Sequence, residues 1–99
     1  MELKDDHIVK INDSLTWRVV AKNMVVLNLD SSEYYTLNET GTALWQLFEK
    51  DIPVSDIKTE FCNRFDVAYD SFLADLVEFV EYLVDNALVS LSHPSNPNS

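Results

Sequence analysis

The sequence predicts an α+β domain with a three-stranded antiparallel sheet followed by three helices, and three observations carry this. Apolar and polar residues alternate between Leu15 and Leu37, interrupted twice by polar turn residues, and a period of two marks half-buried strands. After Asn38 the apolar residues recur every three or four positions as far as Asp85, the spacing of one helix face. The only glycine of the chain, Gly41, stands where one period gives way to the other. Glycine within a helix costs about 1 kcal/mol relative to alanine, so its place at that junction calls for a reason in packing.

The first strand starts at Leu15, with Leu15, Trp17 and Val19 on one face and Thr16, Arg18 and Val20 on the other. Lys22 and Asn23 suit a tight turn, because asparagine tolerates positive φ. Met24 to Leu29 is a second strand that sets Val25, Leu27 and Leu29 on one side. Asp30 to Glu33 reads as a turn. Tyr34 to Leu37 is the third strand, with Tyr35 and Leu37 on one face and Tyr34 and Thr36 on the other. A meander of this kind has two edges.

Asn38 is placed to cap the first helix, with Glu39 favourable to the dipole in its first turn. Ala43, Leu44, Leu47 and Phe48 follow at helix spacing beside Trp45, and the helix should stop near Lys50. Ser55 to Arg64 is the second helix, with Ile57, Phe61 and Phe65 in one row. Tyr69 to Asp85 is the third and longest, with Asn86 at its end, and Leu88 to Leu91 suggests a short extended piece. The expected division is a loosely held, flexible segment over residues 1–14, one folded domain over 15–91, and a disordered tail over 92–99.

Composition excludes several function classes. The 99 residues suit one small domain. Seventeen acidic against seven basic side chains give a net charge of -10, which repels phosphate backbones and anionic lipid heads, so neither nucleic acid nor membrane is an expected partner. A lone Cys62 forms no internal disulfide and no multi-cysteine metal site. Met1 to Ile11 is too charged for a signal peptide and no run reaches the roughly 18 apolar residues of a span, so a soluble cytoplasmic protein is expected. His7 and His93 fall in the two end segments, Cys62 reads as a small core residue, and one glycine cannot build a phosphate loop. No catalytic residue, metal or cofactor is expected, and oligomeric state is left open.

The third helix carries more information. Phe72, Leu73, Leu76, Val77, Phe79, Val80, Leu83 and Val84 span an arc of about 160°, wider than the stripe of about 100° that a helix resting on one layer needs. The spare edge, Phe72 and Phe79 flanked by Asp75, either meets the other helices or meets something outside the domain. Three helices with a small sheet resemble winged helix-turn-helix DNA binders in outline. Yet the third helix carries five carboxylates, and no Lys or Arg follows Arg64, the opposite of a nucleic-acid reader. The third strand, if it is an edge, offers unpaired backbone groups to an extended peptide.

The stretch "MVVLNLDSSEYYTLNETGTALWQLF" resembles the signature of the PqqD-like family, the RiPP recognition elements. The shared pattern is an apolar strand, a polar turn, an aromatic pair, then Leu37-Asn38-x-x-Gly41 and an apolar helix with Leu44-Trp45. The segment from Val54 to Val89 is similar too, with the departure that Ala87 stands where the family often has glycine; Asn86 is expected to take the left-handed position there. The resemblance covers about Leu15 to Val89 and implies a winged-helix-turn-helix-like fold. It implies that the leader segment of a ribosomally made precursor peptide adds as a strand along Ser32, Glu33, Tyr34, Tyr35 and Thr36 and packs on Phe72, Asp75, Leu76 and Phe79. Leu37, Asn38, Gly41 and Trp45 would be structural, Gly41 because the first helical turn passes close under the sheet. The domain would present the leader to a separately encoded peptidase or modifying enzyme, in a lasso-type, radical-SAM or pyrroloquinoline quinone pathway, the lasso type suiting its size and solitary architecture best. The competing expectation is an adaptor that binds a folded protein partner through the same acidic, aromatic face.

Overall fold

The change of period at Asn38 divides strands from helices in the structure as in the sequence. In the computed structural model, which describes residues 3–92, the order is β1 (Ile8–Ile11), β2 (Leu15–Val20), β3 (Asn23–Asn28), β4 (Tyr34–Leu37), α1 (Glu39–Phe48), α2 (Val54–Arg64), α3 (Tyr69–Asp85) and β5 (Val89–Ser92). β2, β3 and β4 form an antiparallel sheet in that order, and β1 pairs antiparallel with β5 in a second, two-stranded sheet.

The hairpin turn lies one residue earlier than expected. Val20 pairs with Asn23, leaving Ala21 and Lys22 as the loop, and Ala21 takes the positive φ of 58°. The face of β3 that enters the core is Met24 and Val26, both buried, while Val25 and Leu27 are half-exposed and Leu29 is exposed. Both faces of this strand are apolar, so alternation alone does not say which one the helices cover.

The segment before Leu15 is not loose throughout. Val9 pairs with Leu91 and Ile11 with Val89, and Val9 is buried in the same core as Trp45 and Leu83. The N–H groups of Val54 and Ser55 donate to the carbonyls of His7 and Asp5, and Lys58 Nζ donates to Asp5 Oδ1 at 2.6 Å. His7, expected in a floppy end, is buried, and its Nδ1 accepts from the N–H of Lys4. Ser92, placed in the tail by the sequence, closes β5; His93 and the rest of that tail lie outside the described residues.

Helix ends explain themselves locally. Asn38 Oδ1 accepts from the Gly41 N–H at 2.9 Å, a side-chain cap. At the end of α3 the Leu88 N–H donates to the Leu83 carbonyl and the Ala87 N–H to the Val84 carbonyl, the paired bonds of a Schellman motif. Its left-handed residue is Ala87, at φ 59°, and not Asn86, at φ -97°; the position is fixed by the bond pattern, which residue type does not override. Trp45 and Phe48 of α1, Ile57 of α2 and Leu76, Val80 and Leu83 of α3 fill the core. The Trp17 ring meets Trp45 edge-on at 5.4 Å. Among the described residues no helix is long and apolar enough to cross a membrane, and no cluster of His, Cys, Asp and Glu is arranged to hold a metal ion.

Candidate functional site

Among the described residues β4 is paired on one side only, through Val26↔Tyr35 and its neighbours on β3. The bond from the Asn28 N–H to the Glu33 carbonyl sets the alternation of this antiparallel pair: Glu33, Tyr35 and Leu37 turn their backbone groups toward β3. Tyr34 and Thr36 therefore point their N–H and C=O groups away from the sheet, along a free edge. An unpaired edge of this kind is a template for another strand. The turn that leads into it is held by its own side chains. Asn28 Oδ1 accepts from the N–H groups of Asp30 and Ser31, and Ser31 Oγ accepts from that of Glu33. Ser32 takes a positive φ of 63° there.

α3 flanks this edge. The Tyr35 phenol is raised above its ordinary pKa by burial first, then by the charges of Glu33 and of Tyr82 on α3. The Phe79 ring lies against Gly41 at the strand-to-helix junction. Beyond it opens a cavity of about 580 Å³ between the start of α1, the end of α2 and α3. Asn38, Gly41 and Leu44 line it on one side, Phe72, Asp75 and Phe79 on another, and Phe61, Phe65 and Val67 close it. Its walls are mainly apolar, with Asp75 as the charged group, a composition suited to an apolar side chain of a bound chain.

The sequence-predicted residues fall into three groups. Tyr34, Thr36, Ser32 and Glu33 are exposed on or before the edge, and Tyr35 is half-buried toward the helices. Phe72, Asp75 and Phe79 meet in the cavity wall, although Phe72 is itself buried, stacked on Phe61 with ring centroids 4.4 Å apart. Leu76 is fully buried in the core and presents no surface. The wide apolar arc thus divides: Leu76, Val80 and Leu83 go inward, and Phe79 remains half-exposed at the rim. The cavity residues missed by sequence reasoning include Phe61, Phe65 and Val67. Their signal was Val67, an apolar residue left 43% exposed in the short α2–α3 connection.

The family model for coenzyme PQQ synthesis protein D (PqqD) matches residues 23–89. Among solved structures the fold is similar to that of TbiB1 in complex with the TbiA(beta) leader peptide. There the identity is 25%, the TM-score 0.77, and the match covers 82% of this chain and 94% of that one. A lasso peptide synthetase B1 complexed with the leader peptide shares the fold at 19% identity and a TM-score of 0.75, over 84% of this chain and 98% of that one. No curated protein matches the chain in sequence.

Proposed function

Since the chain belongs to the PqqD family, we propose that it binds the leader segment of a ribosomally synthesised precursor peptide and presents it to a separately encoded peptidase or modifying enzyme. The observation that carries this reading is the free backbone edge of β4 together with the half-exposed Phe79 of α3, which lies against Gly41 just beyond the end of that strand. A leader strand would pair with the outward N–H and C=O groups of Tyr34 and Thr36, which supplies affinity that tolerates sequence change. Alternate side chains of that strand would face α3, and one would enter the cavity walled by Phe72, Asp75 and Phe79. TbiB1, similar over most of both chains, was solved with a leader peptide bound. The role is one of binding: the edge offers backbone groups and the cavity offers mainly apolar walls. Leaders with Lys or Arg near the α3 end would associate faster, because α3 carries five carboxylates.

Titration of the purified protein with the synthetic leader of the precursor encoded beside its gene tests the proposal. Saturable binding with amide shift changes at Glu33 to Leu37 and at Phe79 is the expected result. Absence of binding, or shifts confined to other elements, would remove the leader reading and leave the adaptor role.

A further inference from the structure

The three-stranded sheet has a second face, which the helices leave bare. The helices pack on the side of Met24, Val26 and Leu37, all buried. On the opposite side, alternation places Arg18 and Val20 of β2, Val25 and Leu27 of β3, and Tyr34 of β4. The remaining strand positions of that face are threonine and asparagine. Every one of these residues is exposed or half-exposed, Val20 by 54% and Tyr34 by 71%.

Two features separate this face from the rest of the surface. Four of its eight strand positions, Val20, Val25, Leu27 and Tyr34, are apolar and span all three strands, and grouped apolar exposure on a small protein marks a contact surface. It is also free of carboxylates, although the chain has 17 of them; the nearest in sequence, Glu33, lies in the turn at one end. Its single charge is Arg18, which pairs across the strands with Val25 and makes no ion pair among the described residues.

We propose that this face docks the separately encoded processing enzyme, through an apolar surface of that enzyme carrying a carboxylate that pairs with Arg18. An unpaired guanidinium framed by valine, leucine and tyrosine is built for a planar, bidentate carboxylate contact, and aromatic and Arg residues are the enriched anchors of protein interfaces. A second copy of this chain fits badly. A twofold contact would set one Arg18-bearing, carboxylate-free face against another, between two chains of charge -10. The choice of partner rests on the leader reading. Tyr34 belongs both to this face and to the free edge of β4, so an added leader strand would widen the face by one row. The enzyme would then read the domain and its cargo as one surface.

The test uses the purified processing enzyme encoded beside the precursor gene, immobilised, against the wild-type protein and its Arg18→Glu, Arg18→Lys and Val20→Glu variants, each with and without synthetic leader. Both sites are exposed, so the fold should persist, and leader affinity serves as the control. Expected are at least tenfold weaker enzyme binding for Arg18→Glu and Val20→Glu, partial retention for Arg18→Lys, and leader affinity unchanged within about twofold. The wild-type complex should also weaken with added salt while the Arg18→Glu complex does not. Enzyme binding unchanged in both glutamate variants, or absent from the wild type, would overturn the proposal, as would a wild-type dimer that these variants dissolve. Failure of the leader to bind a protein that still captures the enzyme through Arg18 would sink the leader reading alone.

Discussion

The ring of Phe79 rests on Gly41, so closely that a Cβ on Gly41 would come within 3.3 Å of its Cε1 and Cζ and of Leu37 Cβ. The glycine is what lets α3 approach the first turn of α1, and it holds the ring at the rim of the cavity. Helix propensity favours Gly41→Ala by up to about 1 kcal/mol. Against this, Leu37 Cβ is anchored to the end of β4 and cannot swing away, so the squeeze has to be taken up by backbone or by Phe79. A lowered melting temperature is the expected outcome for Gly41→Ala. In a Phe79→Ala background the same substitution should cost less, with a coupling of about 0.5–1 kcal/mol between the two sites. A raised melting temperature in the single variant would refute the close-approach account.

Phe79 itself separates binding from packing. Its ring lies 6.2 Å from Phe48, stacked, yet remains half-exposed. Phe79→Ala should therefore lower stability modestly and weaken leader binding by about 1–3 kcal/mol, as for an interface anchor. Calorimetric melting and leader titration on the same preparation distinguish the two losses. Full leader affinity in a folded Phe79→Ala protein would move the peptide off α3.

Tyr34→Pro tests the strand edge. The Tyr34 N–H points away from β3, so proline there removes no bond of the sheet, and first strand positions tolerate it. Thermal stability should stay near wild type while leader affinity falls by at least the roughly 0.5–1.5 kcal/mol of one hydrogen bond. Tyr35→Pro is the control: it deletes a bond to Val26 and should destabilise the sheet outright. Equal leader affinity in Tyr34→Pro and wild type would exclude pairing at that position.

What the sequence made legible was what neighbours along the chain decide. The period of two, the Asn38 cap and the limits of α3 are local, and they stand in the structure as read. The strand of Ile8–Ile11 is not local, since its polar surroundings hide two buried residues whose partners, β5 and Pro53, lie far along the chain. The core face of β3 was equally invisible, because Val25 and Leu27 match Met24 and Val26 in hydrophobicity and only the position of α1 distinguishes them. The same holds at the site. Phe72, Leu76 and Phe79 share one arc of α3, and tertiary packing alone assigns Leu76 to the core and Phe79 to the rim.

Ala87 offers a gain in stability. It holds a left-handed φ of 59° with two bonds that fix it there, a conformation that costs a residue with a Cβ roughly 1–2 kcal/mol. Ala87→Gly removes that strain and returns part of it as unfolded-chain entropy, so the melting temperature should rise by the equivalent of about 0.5–1 kcal/mol. Leader binding should not change. A variant no more stable than wild type would show that the alanine sits there without strain.

Lys58 ties the segment before β1 to α2, and its charge sets a pH dependence. Its pKa is raised chiefly by the hydrogen bond to Asp5, opposed by burial, and raised further by Tyr69, whose ring centroid lies 5.7 Å from Nζ. Because the folded value exceeds the ordinary 10.5, the stabilisation is fully present below that pH and is lost as pH rises through the folded value. Asp5→Asn leaves a buried ammonium without its carboxylate. As Asp5 is largely exposed, the cost should fall between the surface and buried limits, at about 1–2 kcal/mol. The difference between wild type and Asp5→Asn in denaturant midpoint should be constant from pH 7 to about pH 9 and shrink above about pH 10.5, where the unfolded chain gives up the Lys58 proton before the folded wild type does. A difference that persists undiminished to pH 11.5, or no difference at neutral pH, would show that the pair does not hold this segment in place.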